Sequence, residues 1–364
     1  MQDIHGGNIW KWQEALNIHP LDFSASINPL GPPQGVFRVI TENLSNLVHY
    51  PDPENRRACQ ALSEYHGIDS SHIIFGNGAM ELLYLLPRAL LLQSALIPIP
   101  TFSGYEKALL YHAVQAKFVN WWVREEGKKD PLPSPSPLAF LSSAAKGVQG
   151  VFICHPNNPT GEVLEKGFLL NLLDFCEEQK IWLILDEAFI DFLDQPDAYS
   201  LIQEAVSSTR LVVIRSLTKF FALPGLRLGY GVGPQAIIQR LKQEQLPWSV
   251  NVLAQQIVNE ILKDEAYARN SRKFIQSERA FLLTALSEME GIQPVSGSVN
   301  FLLCRLTCPG WTSPQLTTKL IQSGILIRDC STLRGLNEQY FRIAVRTREE
   351  NRKLLSTLQE VLSE

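Results

Sequence analysis

The chain has 364 residues, which at roughly 150 residues per domain indicates two domains, or one large and one small. Hydrophobic residues make up 45% and charged residues 19%, which argues against disorder, collagen-like repeats and a bare coiled coil. The 33 basic and 37 acidic side chains give a net charge of −4, without the basic excess that nucleic-acid binding requires.

The N-terminal and the most apolar segments give no sign of export or of a membrane. The first twelve residues lack a basic stretch followed by an apolar one, so we expect no secretory signal. The most apolar region, Leu82 to Ile99, is interrupted by two prolines, an arginine and a glutamine. The six cysteines form no C-x-x-C pair, so we expect neither a disulfide framework nor a metal site. These features predict a cytoplasmic protein without a membrane or nucleic-acid partner.

The pattern of apolar residues divides the chain into three parts. Residues 1–35 are rich in glycine and proline and predict an extended N-terminal arm. Residues 36–252 alternate β-branched apolar runs with helical patterns, which indicates a large α/β domain with a mostly parallel sheet. Residues 253–364 begin with a charged helical stretch and end in strand patterns, which predicts a small α+β domain. Ligands of such α/β sheets bind at the carboxyl ends of the strands.

Two segments place glycine or amide residues directly after predicted strands. In Phe75 to Glu81, a glycine turn joins a strand to a helix, where free backbone N–H groups attract an anion. An ordinary strand-to-helix turn fits the same residues. In Cys154 to Gly161, amide side chains follow an apolar strand and would face the same crevice, although a tight turn also fits.

Two further segments place charged residues at strand ends. Asp186 ends the apolar run that begins at Ile181, and such a carboxylate needs a cation or hydrogen-bond donors unless it caps a helix. Lys219 follows another apolar run and the hydroxyl residues Ser216 and Thr218, and Arg227 lies eight residues further on. This pattern fits a Schiff-base lysine beside a phosphate held by hydroxyls and a guanidinium, and it also fits a solvated loop.

In this order and spacing, the four segments resemble the pyridoxal-phosphate enzymes of the aspartate aminotransferase fold type. The resemblance covers almost the whole chain and implies that fold, with pyridoxal 5'-phosphate as cofactor. It assigns catalytic roles to Lys219, which forms the Schiff base, and to Asp186, which keeps the pyridine nitrogen protonated. The remaining cofactor contacts that it implies are Gly78, Ala79, Phe102, Asn158, Ser216, Thr218 and Arg227.

The resemblance also implies a homodimer and a substrate site. Tyr50 matches the tyrosine that reaches the cofactor phosphate of the neighbouring subunit, so the two subunits share their active sites. Arg342 matches the arginine that binds the anionic end of the substrate. The other substrate contacts expected from the resemblance are His5, Asn28, Asn158 and Arg328.

Within this fold type, the chain is similar to the branch that holds L-threonine-O-3-phosphate decarboxylases and histidinol-phosphate aminotransferases. The arm segment from Asp22 to Gly31, Phe189 in place of the usual tyrosine, and Arg346 in place of glycine favour the decarboxylases. The expected reaction converts L-threonine O-3-phosphate to (R)-1-amino-2-propanol O-phosphate, in cobalamin biosynthesis. The alternatives are transamination of histidinol phosphate with 2-oxoglutarate and a non-enzymatic sensor or scaffold. A Rossmann dehydrogenase is disfavoured, because no G-x-G-x-x-G opens the first βα unit.

Overall fold

The computed structural model describes residues 6–16, 19–123, 132–133, 141 and 143–363. Single 3₁₀ turns lie at Leu44–Val48, Ser70–His72, Ile190–Phe192 and Pro196–Ala198. The helices are α1 (Ile9–Leu16), α2 (Gln34–Glu42), α3 (Arg56–His66), α4 (Ala79–Ala89), α5 (Gly104–Tyr111), α6 (Lys166–Glu178), α7 (Ile202–Ser207), α8 (Leu217–Phe220), α9 (Gln235–Glu244), α10 (Val252–Lys263), α11 (Glu265–Glu288), α12 (Ser313–Gln322) and α13 (Arg348–Leu362).

The strands form one large sheet, one small sheet and two short pairs. They are β1 (Leu21–Asp22), β2 (Ile73–Asn77), β3 (Ser94–Ile99), β4 (Gln115–Asn120), β5 (Trp122–Val123), β6 (Leu132–Pro133), β7 (Gly150–Cys154), β8 (Trp182–Asp186), β9 (Leu211–Ser216), β10 (Leu228–Val232), β11 (Ile292–Pro294), β12 (Phe301–Leu306), β13 (Ile325–Leu326), β14 (Arg328–Asp329) and β15 (Tyr340–Ala344).

The large sheet has seven strands in the order β2-β10-β9-β8-β7-β3-β4. All neighbouring strands are parallel except β10, which runs antiparallel to both of its neighbours. Every residue of β7, β8 and β9 is buried, as expected for central strands covered by helices on both faces. The predicted α/β class with a mostly parallel sheet is confirmed.

The small sheet is antiparallel, with the order β11-β12-β15-β14. The N-terminal segment reaches this unit, because β1 pairs in parallel with β13 and Phe23 donates its N–H to the carbonyl of Leu326. Helix α10 packs against α2 and α3, whereas α11 packs against β11 and β12. These two consecutive helices therefore pack against different parts of the molecule. The boundaries at 35/36 and 252/253 stay predictions.

The parallel strands bring their carboxyl ends to one edge of the large sheet. Cys154 at the end of β7 lies beside Asp186 at the end of β8, and Asp186 lies beside Ile214 of β9. This edge faces the small sheet and the N-terminal segment. Among the described residues, no helix has the length and apolarity to cross a membrane, and no cluster of His, Cys, Asp and Glu could hold a metal ion.

Candidate active site

A cavity of about 280 Å³ opens at this edge of the large sheet. Its walls come from the strand ends, from residues 24–27 of the N-terminal segment and from the small sheet. Most of the site residues predicted from the sequence line it. These residues are Ala79, Phe102, Asn158, Asp186, Ser216, Thr218, Lys219, Arg227, Arg328 and Arg342.

Lys219 lies one turn beyond the end of β9. The side chain of Ser216 caps the short helix α8 by accepting from the N–H of Thr218, and Lys219 Nζ lies 3.4 Å from Ser216 Oγ. Burial lowers the pKa of the Lys219 ammonium, an effect that the carboxylate of Asp186 opposes. A lowered pKa increases the fraction of neutral amine, which is the nucleophilic form.

Asp186 ends β8 with its carboxylate 4% exposed. Its Oδ2 accepts from the hydroxyl of Tyr105 at 2.7 Å, and its Oδ1 accepts from the N–H of Ala188 at 3.0 Å. Burial raises the pKa of Asp186, whereas Lys219 and these two donors lower it. The carboxylate therefore has the donors that a buried charge requires, and it lies within the electrostatic reach of Lys219.

Neighbouring residues at the ends of β8 and β9 point to opposite sides of the sheet, one towards the cavity and the next towards a buried ion pair behind it. Asp186 and Ser216 line the cavity, whereas Glu187 and Arg215, the adjacent residues, pair with each other at 2.8 Å. Arg215 also donates to Asp191 at 3.0 Å and to Ser200 at 2.9 Å. These contacts connect β8, β9 and the following turns, and so fix the strand ends that carry the cavity residues.

An anion cradle forms where α4 begins. Gly78 precedes α4 with φ +76, and a Cβ at this position would lie 2.5 Å from Nη2 of Arg227. Glycine therefore lets the guanidinium approach the free N–H groups at the start of the helix. Ser216 and Thr218 line the same cavity, and Thr218 Oγ1 is fixed by a 3.1 Å bond to the carbonyl of Leu228. The helix N-terminus, the hydroxyl of Ser216 and the guanidinium together suit a phosphate group.

A second cationic region comes from the small sheet. Arg342, in β15, is 8% exposed and donates to Asn158 Oδ1 and to the carbonyl of Ser24. Arg328 of β14 is its direct cross-strand neighbour. Burial lowers the pKa of Arg342 to about 10, and no carboxylate among the described residues bonds to its guanidinium. Two arginines side by side favour an anionic ligand, because like charges directly opposite each other on a sheet are otherwise destabilising.

Among the described residues, three predicted site residues do not line the cavity, namely Gly78, Tyr50 and Asn28. Tyr50 is 79% exposed and stacks on Trp248, with ring centroids 4.7 Å apart. Asn28 is buried behind the cavity, where its amide donates to the carbonyl of Phe220 and to the hydroxyls of Tyr267 and Ser271. Its N–H donates to the carbonyl of Lys219, so it supports the lysine through the backbone. His5 lies outside the described residues.

The cavity also contains polar residues that the sequence analysis did not single out. Ser24 and Ser26 line it, and Ser26 Oγ is buried without a hydrogen-bond partner among the described residues. Tyr105 lies behind the cavity wall, where its hydroxyl donates to Asp186, and it belongs to the same segment as Phe102. The sequence carried no signal for Ser26, because the consecutive residues 24–27 all line the cavity and no strand alternation marks them. Arg346 donates to the carbonyl of Asp22 and to Glu350, and so holds the N-terminal segment on the small sheet.

The model of the aminotransferase class I and II family matches residues 18–358. The chain therefore belongs to this family, and the family and fold predicted from the sequence are confirmed. It is 36% identical to the threonine-phosphate decarboxylase of Salmonella typhimurium over 363 residues, which cover 99% of this chain and 96% of the relative.

Two solved structures extend the comparison. The histidinol-phosphate aminotransferase from Clostridium acetobutylicum has a TM-score of 0.85 and 33% identity, over 94% of this chain and 99% of that one. The L-threonine-O-3-phosphate decarboxylase from Porphyromonas gingivalis has a TM-score of 0.81 and 26% identity, over the same shares of the two chains. Similarity thus extends to both of the activities that the sequence analysis weighed.

Proposed function

We propose that this enzyme uses pyridoxal 5'-phosphate to decarboxylate L-threonine O-3-phosphate to (R)-1-amino-2-propanol O-phosphate, in cobalamin biosynthesis. The observation that carries this proposal is the cross-strand pair Arg328 and Arg342 on the wall of the cavity that also contains Lys219. Together with the anion cradle at α4, this pair provides room for two phosphate groups. One belongs to the cofactor and the other to the substrate.

The residues present fit the cofactor. The cofactor phosphate would lie in the anion cradle at α4, held by Gly78, Ala79, Ser216, Thr218 and Arg227. A Cβ at Gly78 would fill this cradle. Asp186 would pair with the ring nitrogen, Asn158 would bind the ring hydroxyl, Phe102 would stack on the ring and Lys219 would bind the aldehyde carbon. When bound, the cofactor withdraws the electron pair that is left on the substrate's α-carbon.

Arg342 and Arg328 would orient the substrate, and its orientation decides which of its bonds breaks. Arg342 and Arg328 would bind the substrate phosphate, helped by His5 and by the polar lining near Asn28. The substrate carboxylate would then be left without a cationic clamp, so that its bond to the α-carbon would be the one exposed to the electron withdrawal that the bound cofactor supplies. Lys219 Nζ would return a proton to the α-carbon after carbon dioxide leaves. Phe189, which has no hydroxyl, lines the cavity, and its ring centroid lies 4.8 Å from Lys219 Nζ.

The proposal is tested by assaying two substrates with the purified holoenzyme. We expect carbon dioxide and aminopropanol phosphate from threonine phosphate, and no glutamate-dependent turnover of histidinol phosphate. Turnover of histidinol phosphate with 2-oxoglutarate, without carbon dioxide from threonine phosphate, would falsify the decarboxylase proposal in favour of the aminotransferase. The similarity to the clostridial aminotransferase makes this the second candidate. Absence of a borohydride-reducible visible chromophore would instead favour a sensor or scaffold.

We also propose that the enzyme is a cytoplasmic homodimer. All six cysteines are free, as is usual for a reducing compartment. Tyr50 stacks on Trp248, and both are exposed together with further large apolar side chains, which fits a surface covered by a second subunit. These side chains include Phe37, Leu44, Leu47, Val48 and Leu246.

Mixed dimers test whether Tyr50 acts in the neighbouring subunit. Tyr50→Ala and Lys219→Ala are each expected to be nearly inactive as homodimers. Mixing them after reversible dissociation should restore activity, because each mixed dimer has one site with Lys219 and a tyrosine from the partner. If activity does not return although two differently tagged variants co-purify as dimers of twice the 41.0 kDa chain mass, Tyr50 serves its own subunit.

A further inference from the structure

Tyr105 lies at the start of α5 and is fully buried beside the cavity. Its ring packs against Phe102 and Phe152, with centroid distances of 5.4 Å and 5.6 Å. Its hydroxyl lies 2.7 Å from Asp186 Oδ2. Because the ring is held on two sides by aromatic neighbours, the hydroxyl has a fixed direction.

The groups that face Asp186 leave the phenol as a neutral donor. Burial, and then the charge of Asp186, raise the pKa of Tyr105 well above its ordinary range, so its proton stays on the oxygen. Cys154, on β7, is also neutral, because burial raises the pKa of its thiol to about 12. Lys219 is the cation that acts on the carboxylate, and the N–H of Ala188 occupies Oδ1.

Hydrogen bonds from the phenol and the amide favour the ionised form of the carboxylate, whereas burial favours the protonated form. Removing the phenol would therefore make protonation of Asp186 easier. A protonated Asp186 has lost the negative charge that attracts a protonated ring nitrogen. The contact between Tyr105 and Asp186 thus bears directly on binding of the cofactor.

We propose that Tyr105 is a positioning residue, which holds the Asp186 carboxylate ionised and oriented for the ring nitrogen of the cofactor. This inference rests on the proposed function, because it assumes that pyridoxal 5'-phosphate binds at Asp186. Tyr105 acts through Asp186 and has no chemical step of its own. Its neutral hydroxyl donates a hydrogen bond to the Asp186 carboxylate, whose negative charge would attract the protonated ring nitrogen of the cofactor.

The test measures the dissociation constant of pyridoxal 5'-phosphate as a function of pH, by fluorescence titration of the cofactor-free full chain. In Tyr105→Phe, the pH below which affinity falls should move upward by about 1–2 units, since a hydrogen bond to a charged group contributes about 1.5–3 kcal/mol. The matched control is Tyr230→Phe, which removes another fully buried hydroxyl, one that bonds to His66 at 2.8 Å. That control should leave the midpoint unchanged.

A second variant keeps the inference testable if Tyr105→Phe does not fold. Site-specific replacement of Tyr105 by 3-fluorotyrosine makes the phenol a stronger donor and should move the midpoint downward. An unchanged midpoint in the variant that folds, or an equal shift in Tyr230→Phe, overturns the role of Tyr105. Failure of the decarboxylase proposal is distinguishable, because the two-substrate assay detects it, whereas this titration measures cofactor binding alone. A wild-type chain that binds no cofactor and shows no borohydride-reducible chromophore would overturn the inference itself.

Discussion

Replacement of Lys219 by alanine is expected to lower turnover of threonine phosphate by at least about 10³-fold. The proposed mechanism uses Nζ twice, first to bind the cofactor aldehyde and then to return a proton to the α-carbon. No other lysine lines the cavity among the described residues. The measurement is carbon dioxide release at saturating substrate, together with the visible spectrum before and after borohydride.

The spectrum separates a catalytic loss from a general one. Lys219→Ala should keep bound cofactor that exchanges on dialysis and is not fixed to the chain by borohydride. Lys146→Ala replaces an exposed lysine and should behave like the wild type in both measurements. Turnover within tenfold of the wild type in Lys219→Ala would contradict the assignment of both roles to this residue.

The edge of the large sheet could be predicted from the sequence because its signals are local. A buried parallel strand needs a continuous apolar run, and β8 and β9 show such runs ending at Asp186 and Ser216. Because parallel strands end at a common edge, the residues that follow them were expected to meet. The sequence does not indicate that β10 runs antiparallel to its neighbours, since the apolar pattern of a strand is the same in either direction.

Contacts distant in sequence could not be predicted in this way. Tyr105 and Asp186 are 81 positions apart, and their bond depends on how α5 packs against the sheet. The pairing of β1 with β13 joins two-residue strands that have no pattern of their own. The N-terminal segment shows the same limit over a short distance, because Asn28 was predicted to bind substrate, whereas the structure places Ser26, two positions earlier, in the cavity wall.

Tyr50 shows a further limit, which concerns assembly. Its role in a neighbouring subunit was an expectation from family resemblance, and a single chain presents only an exposed ring stacked on Trp248. In the proposed homodimer, the contact that would explain the exposure lies between two chains. The mixed-dimer experiment therefore supplies information that neither the sequence nor one subunit contains.

Replacement of Arg342 by glutamine is expected to raise the KM for threonine phosphate by about 10- to 100-fold, because charge-assisted hydrogen bonds contribute about 1.5–3 kcal/mol and each 1.4 kcal/mol is tenfold. The kcat should fall less, because Arg342 binds the substrate phosphate and does not contact the atoms of the bond that breaks. Steady-state kinetics separate the two constants. Arg305→Gln is the matched control, since Arg305 lies on the neighbouring strand β12 and bonds to Gln339.

Unphosphorylated threonine shows whether Arg342 recognises the phosphate itself. The wild-type enzyme should use threonine poorly, and Arg342→Gln should reduce this weak activity little further, because the group that Arg342 binds is already missing. The two changes are then non-additive, as for partners in one interaction. An equal loss on both substrates would instead indicate that Arg342 acts through its bonds to Asn158 and the carbonyl of Ser24, by fixing the cavity wall.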